Sequence, residues 1–117
     1  MKKLLLILFC LPIISFGQSF ISPINYTNTE TNQKRVISYI QKDVKEAYSL
    51  IGMDDPSTLR MMEKENLNAF KELIKITNVS LLQNVIKTYC EIGMCNYSTI
   101  LMMYREQNKA NTETLEW

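Results

Sequence analysis

The chain has 117 residues, 13 basic and 12 acidic, and contains no histidine. That length holds one compact domain and not two, and the near-neutral charge leaves neither a basic stripe for nucleic acid nor a strong pull toward anionic lipid. The absent imidazole removes the commonest general base and the commonest metal ligand, so no enzymatic activity, cofactor or metal is expected.

The first seventeen residues have the layout of a bacterial secretory signal. Lys2 and Lys3 precede an apolar run, Leu4 to Ile14, and Ser15 and Gly17 supply the small residues that flank a cut between Gly17 and Gln18. Pro12 ends the helix that Leu4 to Leu11 would form, because it disfavours α geometry in the residue before it. The run is shorter than the roughly 20 apolar residues of a spanning helix. The competing readings are an uncleaved anchor extended through Ile24, a lipidated Cys10, for which Phe9 is a poor neighbour, and a cytosolic protein with an apolar N-terminal helix. Export to the periplasm or the outside is the expectation. Of the 13 basic residues two precede the cut, which leaves 11 against 12 acidic ones over 100 residues.

Residues 18–32 are polar after Phe20, Ile21 and Ile24, show no period, and read as an extended lead-in tethered by Tyr26, with no role beyond spacing. Residues 33–109 make the helical domain. Glycine and proline number three each, a composition that leans helical rather than all-β. Val36, Ile40, Val44, Ala47 and Ile51 fall on one helix face, predicting a first helix over Asn32 to Ile51 with Thr31 as its N-cap and Gly52 as its left-handed stop. Asp55 caps a second helix that opens at Pro56, where the missing N–H costs little. It should run to Ile76 and bury Leu59, Met62, Ala69, Phe70, Leu73 and Ile76. Asn66 falls where that stripe wants an apolar residue, so the middle of the helix is expected to be less deeply buried. Asn78 or Ser80 caps a third helix carrying Leu82, Val85, Ile86 and Tyr89, and a fourth carries Tyr97, Ile100, Leu101 and Tyr104 to Lys109. Residues 110–117 form a polar tail until Leu115 and Trp117. The prediction is an all-α bundle of three to four amphipathic helices with no stable membrane span once the signal is removed.

Cys90 and Cys95 pose a geometric choice. On an unbroken helix residues five apart rise about 7.5 Å, beyond the roughly 7 Å between Cα atoms that a disulfide tolerates. Either the helix breaks near Gly93 and the pair is bonded, or one long helix runs through and both thiols stay free. Gly93 favours the break and an oxidising compartment favours the bond, so the pair is the disulfide candidate. The four-residue spacer is not the two-residue spacer of thioredoxin-type redox sites, and two thiolates without histidine are half a zinc ligand set.

The remaining constellations read as structural. Met53, Met61, Met62, Met94, Met102 and Met103 suit a helical core better than a copper(I) site, with a Met-lined groove as a further alternative. Asp54 and Asp55 precede a proline as caps do, and no EF-hand spacing follows them. Glu63, Glu65, Glu72 and Glu91 alternate with Lys64, Lys71, Lys75 and Lys87 as solvated helix faces do. Asn25-Tyr26-Thr27, Asn78-Val79-Ser80 and Asn96-Tyr97-Ser98 match the N-glycan acceptor pattern, which carries nothing in a bacterium, and two of them begin helices. These residues together predict a non-enzymatic protein-binding module of the bacterial envelope or exterior, its partner another protein. The alternative is a carrier of an apolar small molecule in a Met- and Tyr-lined cavity between helices.

Overall fold

Val36, Ile40 and Val44, four residues apart, form the buried side of the first helix, α1, Glu30–Ser49. The computed structural model describes residues 20–117, and among them the elements are four helices and no strand. The fold is all-α. The helix starts two residues before Asn32 because Thr29, not Thr31, is the extended residue whose hydroxyl accepts from the Asn32 N–H, at 3.2 Å. It stops at Gly52, whose φ is +72°. The Gly52 N–H donates to the Ser49 carbonyl and the Met53 N–H to the Tyr48 carbonyl, the paired bonds of a Schellman ending. That ending turns Ile51 out of the buried stripe it was expected to close.

The second helix, α2, is Pro56–Leu73, with Asp55 accepting from the Thr58 N–H at 3.0 Å and Pro56 in the first turn. It ends three residues before Ile76, because the Lys75 and Ile76 N–H groups tighten onto the Glu72 and Leu73 carbonyls. Asn78 caps α3, Val79–Glu91, and Asn96 caps α4, Tyr97–Ala110. The break between them at Gly93, φ +80°, repeats the ending of α1: the Gly93 N–H donates to Cys90 and the Met94 N–H to Tyr89.

The helices form two hairpins. α1 packs against α2, α2 against α4, and α3 against α4. Bonds from Ser98 to Asn66 and from Arg105 to Glu72 keep one offset along α2 and α4, so these two helices run parallel. Because α4 begins level with Glu65, the stretch Pro56–Lys64 and the matching end of α1 project past it by about 14 Å at 1.5 Å per residue. The core is Val36, Ile40, Val44, Ala69, Phe70, Leu73, Leu82, Val85, Tyr97, Ile100, Leu101 and Tyr104.

Asn66 corrects one expectation. It is 5% exposed, at the centre of the packing. Its Nδ2 donates to the Met62 carbonyl at 2.9 Å and its Oδ1 accepts from the Ser98 N–H at 3.1 Å. The amide therefore satisfies an N–H in the first turn of α4, which has no partner within its own helix. Polarity at this position serves a neighbouring helix end, a requirement invisible from the stripe of α2 alone.

The segment Phe20–Asn28 corrects another. It is a strap over the core rather than a spacer. Phe20 lies 5.7 Å from the Tyr39 ring, edge-on, and 5.2 Å from Tyr97, and Tyr26 meets Phe70 edge-on at 4.9 Å. Pro23 is buried, and the Tyr97 hydroxyl donates to the Ile21 carbonyl at 2.7 Å. Asn25 makes the bend, in the left-handed conformation (φ 58°) that asparagine tolerates. Every buried side-chain polar atom among the described residues has a partner.

Candidate functional site

The Schellman ending of α3 brings Cys90 and Cys95 to disulfide distance, with Cα atoms 4.2 Å apart. An unbroken helix would hold them farther apart than a disulfide spans. The Cys95 carbonyl accepts from the Tyr39 hydroxyl at 2.7 Å, which ties this corner to α1. Burial pushes the Tyr39 hydroxyl well above its ordinary pKa, helped by the neighbouring charges of Asp43 and Glu46. Burial does the same to Tyr97, with Tyr39 adding to it. Both phenols are thus held as neutral hydrogen-bond donors.

The carboxylates are dispersed. Glu63 pairs with Arg60, Glu65 accepts from the Ser98 hydroxyl, and Glu72 pairs with Arg105 across the α2–α4 groove. Asp55 is held below the usual carboxylate range by the Thr58 N–H that it caps. Asp43 is pushed up by burial, then by Glu46. Among the described residues no three acidic or cysteine side chains gather as metal ligands would. Of the methionines, Met62 and Met103 pack on the core, while Met53, Met61, Met94 and Met102 are exposed. Successive residues on a helix point about 100° apart, and in each pair, Met61–Met62 and Met102–Met103, one member faces out. Most of the methionine is therefore not core filler. Asn78 and Asn96 are caps, Asn25 lies in the strap, and Gly17 and Gln18 fall outside the described residues.

Two surfaces stand out, and neither was singled out by the periodicities. The first is the tip of the projecting hairpin. Leu50, Ile51 and Met53 are 88%, 64% and 48% exposed, three large apolar residues in one four-residue turn. The same glycine that ends α1 presents them to solvent. The second is a groove along the α1–α2 seam. At one end it is a hollow of about 390 Å³ lined by Tyr26, Val36, Ile37, Phe70, Ile74 and Lys75, and it continues over Ile40 and Leu67 toward Gln41 and Arg60. Its α1 side is neutral, with Gln33 and Gln41; its α2 side carries Arg60, Lys64, Lys71 and Lys75. Arg60 is held by Glu63, whereas Lys64, Lys71 and Lys75 make no ion pair with a described residue. The signal for this groove was present in the sequence as a second, narrower stripe, Leu67 and Ile74, seven apart beside lysines seven and four apart.

No helix among the described residues is long and apolar enough to cross a membrane. No family model matches the chain, and neither a curated protein nor a solved structure shows similarity to it.

Proposed function

We propose that this chain is an exported, non-enzymatic protein-binding module, and that the tip of the α1–α2 hairpin is what a partner protein in the envelope or outside the cell takes hold of. The observation that carries the reading is the apolar turn Leu50-Ile51-Gly52-Met53, offered to solvent at the end of a helical pair whose tip lies past the start of α4. A run of large exposed side chains in one place marks contact surface, where single scattered ones do not. The address rests on the layout of Met1 to Gly17, and a cysteine pair at disulfide distance suits an oxidising compartment. A carrier of apolar small molecules has less in its favour. Such sites enclose most of their ligand, and of two open hollows of about 500 and 390 Å³ one is lined by Met102 without tyrosine and the other by Tyr26 without methionine.

The test is a photo-crosslinking residue placed at position 50 in the chain produced by its own cell. One discrete protein adduct in the envelope or culture fraction, lost on Ile51→Asp while the helical content is unchanged, is the expected result. N-terminal sequencing of that material should begin at Gln18. No adduct, or a chain that keeps Met1 and stays in the cell interior, would overturn the reading.

A further inference from the structure

The α1–α2 groove has the shape and charge of a docking site, and the molecule carries a segment of matching chemistry. Beyond α4 the residues Glu113-Thr114-Leu115-Glu116-Trp117 join two acids to two large apolar side chains. Leu115 and Trp117 are fully exposed and touch nothing of their own chain that shields them. The groove offers the complement: an apolar floor at Ile37, Leu67 and Phe70, and at its edge Lys71 and Lys75, which make no ion pair with a described residue. We infer that the groove of one molecule receives the Glu113–Trp117 segment of a second copy, so that the protein self-associates through exchanged tails.

The segment cannot reach the Phe70 end of its own groove. The Thr112 and Glu113 N–H groups donate to Lys109 and Ala110, which carries the chain onward past the end of α4. With the offset between Arg105 and Glu72, Glu113 lies level with a point some ten helical residues, or about 15 Å, beyond Phe70 along the α2 axis. The four residues after Glu113 span at most about 14 Å when fully extended, and they would also have to cross the width of α2. A second molecule meets no such limit. In an extended chain Leu115 and Trp117 point to one side, onto the floor, and the long lysine side chains at the rim can turn to Glu116 between them. The front segment Met1 to Ser19 is a poorer occupant, since it holds Lys2 and Lys3 and no acid to set against a lysine row. The contact is small, so association is expected only at high protein concentration. It does not depend on the partner proposed for the hairpin tip.

Trp117 is the only tryptophan, so its emission reports the docking directly. Raising the concentration of the whole protein should shift that emission to the blue in step with a doubling of mass in sedimentation, and added salt should reverse both. Ile37→Ser, on an exposed side chain, and Lys71→Glu with Lys75→Glu should each raise the dissociation constant at least tenfold without changing the helical content. Mixing the Lys71→Glu, Lys75→Glu protein with a Glu113→Lys, Glu116→Lys protein should restore association. Water-like emission and monomer mass at every concentration would overturn the inference. So would a blue shift independent of concentration, or a dimer indifferent to the groove changes. Leu50→Asp, at the hairpin tip, should leave the self-association intact, which keeps the two surfaces separately testable.

Discussion

Asn66 does the work of two groups, one hydrogen bond back to its own helix and one across to the first turn of α4. Leucine keeps the branched outline and the heavy-atom count, so Asn66→Leu removes the polar chemistry with the shape largely retained. It leaves the half-buried Ser98 N–H without its partner, and the expected loss is about 1–3 kcal/mol, read from urea unfolding. Two phenols, Tyr97 buried and Tyr39 half-buried, set a pH limit of the opposite kind. Tyr39 and Tyr97 hold their protons more tightly folded than unfolded. Their contribution is therefore complete below the unfolded tyrosine pKa of about 10 and is lost as pH rises beyond it. The expected outcome is a sharp fall in melting temperature above about pH 10, with a shallower fall in Tyr97→Phe. Because that variant also gives up the bond to the Ile21 carbonyl, it should be about 1 kcal/mol less stable at neutral pH.

At the scale of an element, both hairpins are made by the same device, a glycine in the left-handed conformation that lets two N–H groups fold back on the last turn. A Cβ built at Gly52 or Gly93 meets nothing within 4 Å, so only the backbone conformation resists substitution. Gly93→Ala should cost about 1–2 kcal/mol in chemical denaturation with the fold retained. Cys90 and Cys95 span the second of these turns, and so short a loop gives a disulfide little chain entropy to remove. Reduction, or the double change Cys90→Ser with Cys95→Ser, is expected to lower stability by about 2 kcal/mol without unfolding the bundle. A loss of all helical signal on reduction would show that the corner holds more than itself, through the Tyr39 bond to the Cys95 carbonyl.

Over the whole molecule the strap packs onto the core from outside the helices. It joins Tyr39 of α1, Phe70 of α2 and Tyr97 of α4 in one aromatic cluster. Deleting residues 20–26 should expose Phe70 and Tyr97, lower the melting temperature by several degrees and increase binding of an apolar dye. The same folded whole decides which apolar residues are left outside. Leu50, Ile51 and Met53 stay exposed at the α1–α2 turn, past the start of α4, and the α1–α2 seam stays open as a groove.

The sequence by itself determined the helices, because a 3.6-residue period, a capping side chain and a glycine stop act within a few residues of one another. Val36, Ile40 and Val44, the caps at Asp55, Asn78 and Asn96, and the break at Gly93 were all legible for that reason. What belongs to contacts between distant parts of the chain was not. Asn66 has its reason in Ser98, thirty-two residues away, and Ile21 in Tyr97, seventy-six away. Neither has a periodic signature, since a hydrogen bond across the fold leaves no pattern in either strand of sequence it joins. Only the tertiary structure decided that a polar residue would be buried, that the lead-in would pack onto the core, and that three apolar residues in a turn would stay exposed.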